Sequence, residues 1–314
     1  MSPSSSRRAS RGPAPRSDAR HPSGASIAHQ ARGAAARCQS ALTIAGLDPS
    51  GGAGIAADLR AFAAAGAWGA AACAALTVQS TRGVRAVKAV PSRLVVAQVE
   101  ELLADLRVCA IKIGALGSAA NVRAVSALLA RHAVTSPIPV ILDPVMIPSR
   151  RAPRAGTARL DGNESLGALR RLAARATLIT PNLPEARALL GLSSNDSLDP
   201  AGAATALLGL GCRAALVKGG HGEGAESVDW LALGGEGKGR LVRIAGPRRE
   251  TPPLHGTGCT LASLIAGKLA ARPGPAAEPT AVELTRAVRW ARRRLDAAIL
   301  APITAGQGLL LLAP

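Results

Sequence analysis

The chain alternates short apolar segments with helical periodicity along most of its length, and this alternation constrains the fold more than any other feature. Segments such as Ala41–Ala45, Cys109–Ile113 and Ala214–Lys218 are separated by stretches with helical spacing of apolar residues. This order is typical of a mostly parallel sheet with helices on both faces. Val228–Leu233 and Leu241–Ile244 flank a glycine-rich stretch and predict a hairpin. The sequence therefore predicts an α/β protein.

Polar residues follow the predicted strands. In open parallel sheets, ligands bind outside the carboxyl ends of the strands. Side chains that are far apart in sequence are thus predicted to share one rim of the sheet. They are Asp48, Gln79, Lys112, Asp143, Asn182, Lys218 and Cys259.

The segment HGTGCT, residues 255–260, precedes a long apolar helical face. Glycines at a helix start leave backbone N–H groups open to an anion such as phosphate. The positive end of the helix dipole at this helix start is expected to lower the pKa of the Cys259 thiol. The alternative interpretation is a packed helix entry with an inert buried cysteine. Ser92 and Ser118 are predicted to cap two earlier helices.

A second glycine-rich turn, residues 46–54, follows the first strand. Two glycine loops that are separated in sequence suit two ligands, one of them phosphorylated. Neither the P-loop pattern nor the dinucleotide fingerprint occurs in the sequence. Asp48 has an alternative interpretation as a turn residue.

Two carboxylates and a lysine on the predicted rim suit phosphoryl transfer. Asp143 and Glu185 could hold Mg²⁺, which prefers oxygen ligands, and Lys218 could neutralise a phosphate. Each assignment has an alternative. Glu185 could lie at a helix start only because the positive end of the helix dipole attracts its charge, and Lys218 could be a solvent-exposed residue at the end of its strand. Gln79 ends an apolar strand, and its amide would be satisfied by an aminopyrimidine or pyridine edge. His221 and His255 are interpreted as ordinary loop residues.

The net charge of +18 favours an anionic small substrate. One Phe and three scattered Trp provide no platform for stacked bases, so no specific nucleic-acid partner is expected. No strongly apolar stretch reaches about 18 residues, so no membrane span is expected. Five scattered Cys indicate a reducing compartment, and a cytoplasmic location is expected.

Residues 1–39 are predicted to be a disordered leader rich in Arg, Ser and Ala, followed by a single domain over 40–314. The leader is also compatible with an organellar transit peptide. A start codon placed too far upstream is another interpretation.

Seven ordered motifs resemble those of the hydroxymethylpyrimidine/phosphomethylpyrimidine kinases of thiamine biosynthesis, in the ribokinase-like superfamily. The cysteine of GTGC, where the superfamily more often has aspartate, favours this branch. The motifs are ALTIAGLDPSGGAGIAADLRAF, ALTVQSTRGV, IKIGALGS, LDPVM, TLITPNLPEARALLG, VKGGH and HGTGCTLAS.

The resemblance implies an α/β, three-layer ribokinase-like fold with a mostly parallel central sheet. It implies ATP- and Mg²⁺-dependent phosphorylation of 4-amino-5-hydroxymethyl-2-methylpyrimidine and then of its monophosphate, and it is compatible with a homodimer. Cys259 would be the base that activates the hydroxymethyl oxygen. The implied anion hole is Gly256, Thr257 and Gly258. The implied substrate-binding residues are Gly46, Asp48, Ala53, Asp58 and Gln79.

On the nucleotide side, the resemblance implies that Asn182 and Lys218 bind ATP and that Asp143 and Glu185 hold the metal. Two departures from the family pattern stand out. Ala115 replaces a common methionine, and the loop after Met146 reads IPSRRAPRAGTARL, without the usual Lys-Ser-Gly-Asp-like lid sequence. Arg150 and Arg151 are candidates to replace the missing lysine.

Two other functions remain open from the sequence. One is a pyridoxal/pyridoxine kinase, because that substrate also carries a hydroxymethyl group on an aromatic ring. The other is a non-catalytic protein that binds a pyrimidine in a kinase-like domain.

Overall fold

The computed structural model describes residues 39–132, 137–146, 163–193, 196–219, 224–235 and 239–314. The predicted leader, except Gln39, lies outside these ranges, as do the loop after Met146 with Arg150 and Arg151, and His221. The division into a leader and one domain over 40–314 therefore stays a prediction.

The described strands form one sheet of nine in the order β3-β2-β1-β4-β5-β6-β7-β8-β9. In this order, the neighbouring strands β2, β1, β4, β5, β6 and β7 pair in parallel. At the edges, β3 pairs with β2, β8 pairs with β7 and β9 pairs with β8, all in antiparallel orientation. This confirms the predicted α/β class, its mostly parallel sheet and the β8–β9 hairpin. The strands are β1 Ser40–Leu47, β2 Trp68–Ser80, β3 Gly83–Ala89, β4 Val108–Ile113, β5 Val140–Leu142, β6 Leu178–Ile179, β7 Ala214–Val217, β8 Glu226–Leu233 and β9 Arg240–Pro247.

Eight described α-helices cover the sheet. They are α1 Gly54–Ala64, α2 Ser92–Asp105, α3 Ala119–His132, α4 Asn163–Ala173, α5 Leu183–Leu190, α6 Pro200–Leu207, α7 Thr257–Ala270 and α8 Ala281–Leu300, with a short 3₁₀ turn at Leu208–Leu210.

The helices form two layers, because the sheet buries apolar side chains on both faces. Successive side chains of a strand point to opposite sides, so Leu42 and Ile44 of β1 join one apolar cluster and Ala41 joins the other. The first cluster includes residues of α2 to α6, and the second includes residues of α1, α7 and α8. Helix, sheet and helix are the three layers that the resemblance implies.

Two local predictions differ from the structure. The sequence did not predict β3, which pairs with the last residues of β2 and makes a hairpin beyond the apolar segment. Ser92 does not cap α2: Pro91 is the N-cap, and the Ser92 hydroxyl donates to Asn121 Oδ1 at 2.7 Å. Ser118 does cap α3, since its Oγ accepts from the Asn121 backbone N–H at 3.2 Å.

A membrane span needs a long, strongly apolar helix, and the described helices do not meet this requirement.

Candidate active site

A cavity of about 760 Å³ opens at the carboxyl ends of the parallel strands. It collects nearly all of the side chains that the sequence places on one rim. Its lining includes Gly46, Asp48, Ala53, Gln79, Asp143, Asn182, Glu185, Lys218, Gly256, Thr257, Gly258 and Cys259, together with Lys112, Ala115 and Met146.

The two glycine turns meet inside this cavity. A Cβ on Gly256 would collide with the backbone oxygen of Gly52, and one on Gly54 would collide with the oxygen of Gly46. Gly256 also has a φ of 77°, in the left-handed region that favours glycine. The two turns, although separated in sequence, therefore form one continuous wall of the cavity, and their service to two ligands stays a prediction.

The GTGC segment begins α7 with Gly256 as the N-cap residue. A glycine N-cap has no side chain to occupy the first amides, and Thr257, Gly258 and Cys259 line the cavity. Amides at a helix start point away from the helix and attract anions. Gly258 also leaves space for the Lys218 ammonium group, since a Cβ on Gly258 would lie 3.0 Å from Lys218 Nζ.

Lys218 lies between two carboxylates at the floor of the cavity. Its Nζ is 3.1 Å from Asp143 Oδ1 and 4.0 Å from Glu185 Oε2. Burial alone would raise the pKa of Asp143, but the charges of Lys218 and Lys112 outweigh it and hold that pKa below its usual value. Burial raises the pKa of Glu185 to about 7, against the opposing effect of Lys218.

Glu185 and Asn182 also form a capping box at the start of α5. Asn182 Oδ1 accepts from the Glu185 N–H at 2.8 Å, and Glu185 Oε2 accepts from the Asn182 N–H at 2.9 Å. The helix-start interpretation of Glu185 is thus observed. It does not remove Glu185 from the cavity, which both residues line.

The carboxylates fit a magnesium ion. Asp143 Oδ2 is buried and has no hydrogen-bond partner, although a buried oxygen normally has one. Within the described ranges, no three or more His, Cys, Asp or Glu side chains form a metal-binding group. Mg²⁺ commonly uses only one or two carboxylates, with waters and substrate phosphates as its other ligands.

Cys259 is half-buried on the cavity wall. Burial raises the pKa of its thiol to about 12, although the charge of Lys112 acts in the opposite direction. The predicted lowering of this pKa is therefore wrong for the ligand-free protein. Desolvation of the thiolate exceeds the favourable field of the helix start.

Asp58 does not line the cavity. Its side chain is fully buried, and Lys112 Nζ contacts both carboxylate oxygens at 2.9 and 2.8 Å. The hydroxyls of Thr43 and Ser263 donate to the same carboxylate, each at 2.6 Å. The placement of Asp58 among the substrate-binding residues is corrected: its oxygens are used inside the protein, below the cavity wall.

On the other side of the cavity, Asp48 organises its turn. Asp48 Oδ1 accepts from the Ser50 N–H and hydroxyl, and Oδ2 accepts from the Ala53 N–H at 2.9 Å. His255 Nε2 lies 2.8 Å from the same Oδ2 and 2.9 Å from the Gln79 amide. His255 is therefore not an ordinary loop residue, because it joins the first glycine turn to β2.

Sequence reasoning also missed an ion-pair network at the far end of the cavity. Arg292 is nearly buried and contacts Asp229 Oδ2 at 2.6 Å and Asp296 Oδ1 at 2.8 Å. Asp229 Oδ1 accepts from the Gly219 N–H at 2.8 Å, next to Lys218. The signal available in the sequence was Asp296, four residues after Arg292 on the same helix.

Comparison with known proteins identifies the family. The sequence model described as Phosphomethylpyrimidine kinase matches residues 48–312. This chain belongs to the phosphomethylpyrimidine kinase family. The match begins at Asp48, directly after β1, and covers β2 to β9, the HGTGCT segment and most of the first glycine turn.

A curated relative of this kinase-family chain is the hydroxymethylpyrimidine/phosphomethylpyrimidine kinase of Salmonella typhimurium. It is 43% identical over 227 residues, which are 72% of this chain and 81% of the relative. Among solved structures, a phosphomethylpyrimidine kinase from Clostridium difficile is similar with a TM-score of 0.65 and 31% identity, over 83% of this chain and 99% of that chain.

Pyridoxal kinases share the fold of this kinase-family chain. The ADP complex of Bacillus subtilis pyridoxal kinase matches with a TM-score of 0.72 and 27% identity, over 88% of this chain and 96% of that chain. The ribokinase-like fold that the sequence motifs implied is thus confirmed. Because both kinase types share it, the fold does not select the ring substrate.

Proposed function

We propose that this protein transfers the γ-phosphoryl group of ATP to 4-amino-5-hydroxymethyl-2-methylpyrimidine, and then phosphorylates the monophosphate to the diphosphate. One observation carries the proposal. A single cavity has an amide and an apolar wall at one side, and a helix start with two carboxylates and a lysine at the other. A flat heteroaromatic alcohol and a nucleotide phosphate need these two environments next to each other.

The ring is assigned to the side formed by Gly46, Ala53, Gln79, Ala115 and Met146. Gly46 and Ala53 keep this wall flat, and Gln79 provides one donor and one acceptor for the ring edge. Met146 is nearly buried and belongs to the apolar core, so it supports the wall rather than contributing polar recognition.

The phosphates are assigned to the side formed by the start of α7 and Lys218. Backbone amides of Thr257 and Gly258 and the Lys218 ammonium would neutralise the negative charge that the transferred group carries. Asp143 and Glu185 would hold Mg²⁺ with the phosphates, and the ion supplies further neutralisation of their charge. Asn182 would support this side through its capping box with Glu185.

Cys259 is assigned as the proton acceptor because it is the nucleotide-side residue of the GTGC turn that carries an ionisable side chain. Cys259 acts as the thiolate, its own proton having left to solvent before the transfer: the hydroxymethyl proton moves to the thiolate Sγ, the oxygen bonds to the γ-phosphorus, and the bond from that phosphorus to the ADP oxygen breaks. Since burial raises the pKa of the thiol to about 12, the ligand-free protein holds it neutral. The charge of Lys112 favours the thiolate and offsets part of the burial effect.

The test is a product assay with the hydroxymethylpyrimidine, ATP and Mg²⁺ that separates monophosphate from diphosphate. We expect both products, and we expect a chelator to stop their formation. If the protein binds the pyrimidine but consumes no ATP beyond background, it is a binding protein and the proposal fails.

A pyridoxal/pyridoxine kinase is the second candidate, favoured by the structural similarity to the Bacillus subtilis enzyme. The value of kcat/KM for the pyrimidine and for pyridoxine, measured on the same preparation, separates the two. A large preference for pyridoxine would replace the proposed substrate and leave the phosphate side unchanged.

A further inference from the structure

The contacts of the Gln79 amide contain a conflict that determines how this side chain is oriented. In one of the two orientations of the amide, Gln79 Nε2 faces His255 Nε2 at 2.9 Å, and Gln79 Oε1 faces Thr77 Oγ1 at 3.3 Å. The oxygen and nitrogen of an amide are nearly the same size, so hydrogen-bond partners decide which is which. Both neighbours of Gln79 have their own partners, and these fix where the hydrogens are.

His255 must be a donor at Nε2. Its nearest partner there is Asp48 Oδ2 at 2.8 Å, and a carboxylate can only accept. Burial disfavours the Asp48 charge, but hydrogen bonds from His255 and Ser50 outweigh burial and lower the pKa of Asp48. Asp48 is therefore ionised, and the His255 Nε2 hydrogen lies between the two residues. A Gln79 nitrogen at the same Nε2 would place two donors against each other.

Thr77 leads to the same conclusion from the other end of the amide. Its Oγ1 lies 2.8 Å from the backbone oxygen of Leu47, which can only accept. The Thr77 hydrogen is thus used there, and Oγ1 offers lone pairs to Gln79. With the amide rotated by half a turn, the Gln79 oxygen shares the single His255 Nε2 hydrogen with Asp48 Oδ2 in a three-centre bond, and the Gln79 nitrogen donates to Thr77 Oγ1.

We infer that the Asp48–His255 pair and Thr77 position the Gln79 amide in this single orientation and so set which ring edge the site accepts. The amide then keeps one free donor on the Thr77 side and one free acceptor on the His255 side. An aminopyrimidine edge complements this order, because ring N3 accepts and the adjacent 4-amino group donates. A 4-oxo pyrimidine presents the reverse order, with N3–H as donor and O4 as acceptor.

This inference rests on the proposed function, since it assumes that the ring binds at Gln79. His255, Asp48 and Thr77 act through Gln79 and are positioning residues. Their effect is therefore expected in ring discrimination and in the KM for the pyrimidine, with a much smaller effect on kcat or on the KM for ATP.

The experiment compares binding of the 4-amino pyrimidine and its 4-oxo analogue by calorimetry without ATP, and then steady-state kinetics with ATP. The wild type should prefer the 4-amino ligand by at least about 100-fold, since a site built to hydrogen-bond one edge strongly rejects the reversed one. His255→Leu should reduce this preference at least about tenfold, because the amide loses the donor that fixes it. His255→Gln, whose amide nitrogen replaces Nε2 as a donor, should keep the preference within about threefold.

Thr77→Val tests the other end of the amide. If His255→Leu does not fold, this variant still allows the preference for the 4-amino ligand to be measured. It should reduce the preference as His255→Leu does, with the KM for ATP unchanged. An unchanged preference in a folded His255→Leu or in Thr77→Val would overturn the inference, as would a wild type that binds both ligands equally. A wild type that discriminates in binding but transfers no phosphate would support the inference and refute the proposed function.

Discussion

A fully buried lysine and a partly exposed lysine near the cavity show how similar charges serve different purposes. Lys112 Nζ contacts both oxygens of Asp58, and neither side chain is exposed to solvent. Lys218 lies 3.1 Å from Asp143 and 4.0 Å from Glu185, with 16% of its side chain exposed. We call the first group, Lys112 and Asp58, the closed pair, and the second, Lys218, Asp143 and Glu185, the open cluster.

The difference lies in which atoms still need a partner. In the closed pair, Thr43 and Ser263 complete the hydrogen bonds of the carboxylate. In the open cluster, Asp143 Oδ2 is buried without a partner, and the cluster faces the cavity. A satisfied buried pair maintains a structure, whereas an incompletely satisfied one can bind a charged ligand.

The largest effect is expected from breaking the closed pair. Lys112→Met leaves the Asp58 carboxylate buried and uncompensated, which should lower the free energy of unfolding by about 3–5 kcal/mol. Urea denaturation measures this loss. The double variant Asp58→Asn/Lys112→Met removes both charges and should recover at least half of it. A loss below about 1 kcal/mol in Lys112→Met would contradict the closed-pair assignment.

Cys259→Ala is expected to have the next largest effect, on catalysis. Loss of the proton acceptor should lower kcat by about 10²–10³-fold, with little change in the affinity for the pyrimidine. Stopped-flow or coupled product assays give kcat, and calorimetry gives the affinity. Cys212→Ala is the matched control, because Cys212 is buried in the apolar core away from the cavity lining. Unchanged turnover in Cys259→Ala would remove this residue from the proton-transfer role.

Lys218→Met should affect turnover more than stability. Loss of one preorganised charge beside the phosphates is expected to lower kcat by about 10²-fold. The free energy of unfolding should change by less than about 2 kcal/mol, because solvent reaches the cluster and Glu185 can take up a proton. The control is Lys268→Met on the same helix as the GTGC turn, where the lysine lies 5.1 Å from the Trp290 ring. A Lys218→Met protein that is strongly destabilised but fully active would reverse the comparison.

The smallest effect concerns pH. Burial disfavours the Lys112 charge, but Asp58 outweighs burial and raises the pKa of Lys112 above its usual value. Stabilisation from such a group is complete below the pKa of an unfolded lysine, about 10.4, and is lost only as the pH rises through the folded value. The stability difference between wild type and the double variant Asp58→Asn/Lys112→Met, which leaves no titratable group at this pair, should therefore stay constant from about pH 6 to about pH 9. A clear slope in this range, in denaturation at several pH values, would show that Lys112 titrates there.

Local sequence patterns predicted much of this molecule. The alternation of apolar and helical segments predicted the parallel sheet, and residues that follow strands predicted the shared rim at Asp143, Lys218 and Cys259. Strand period, glycine turns and helix starts are short-range properties, so they can be recognised from neighbouring residues. The β3 strand was missed because three of its seven residues are exposed and its apolar pattern is weak.

Only the tertiary structure decided which side chains form hydrogen bonds or ion pairs with each charged residue. The family resemblance places Asp58 among the substrate-binding residues, yet its partner Lys112 is 54 positions away, and His255 is 207 positions from Asp48. The sign of the Cys259 pKa shift was also missed, because the helix start is visible in sequence but the desolvation of the thiol is not. The sequence by itself determined the mostly parallel sheet, the family motifs and the strand-end residues Asp143, Lys218 and Cys259 of the cavity. The tertiary structure decided which of those residues are closed off by partners and which remain open to a ligand, because burial and hydrogen-bond satisfaction depend on segments that the chain brings together only on folding.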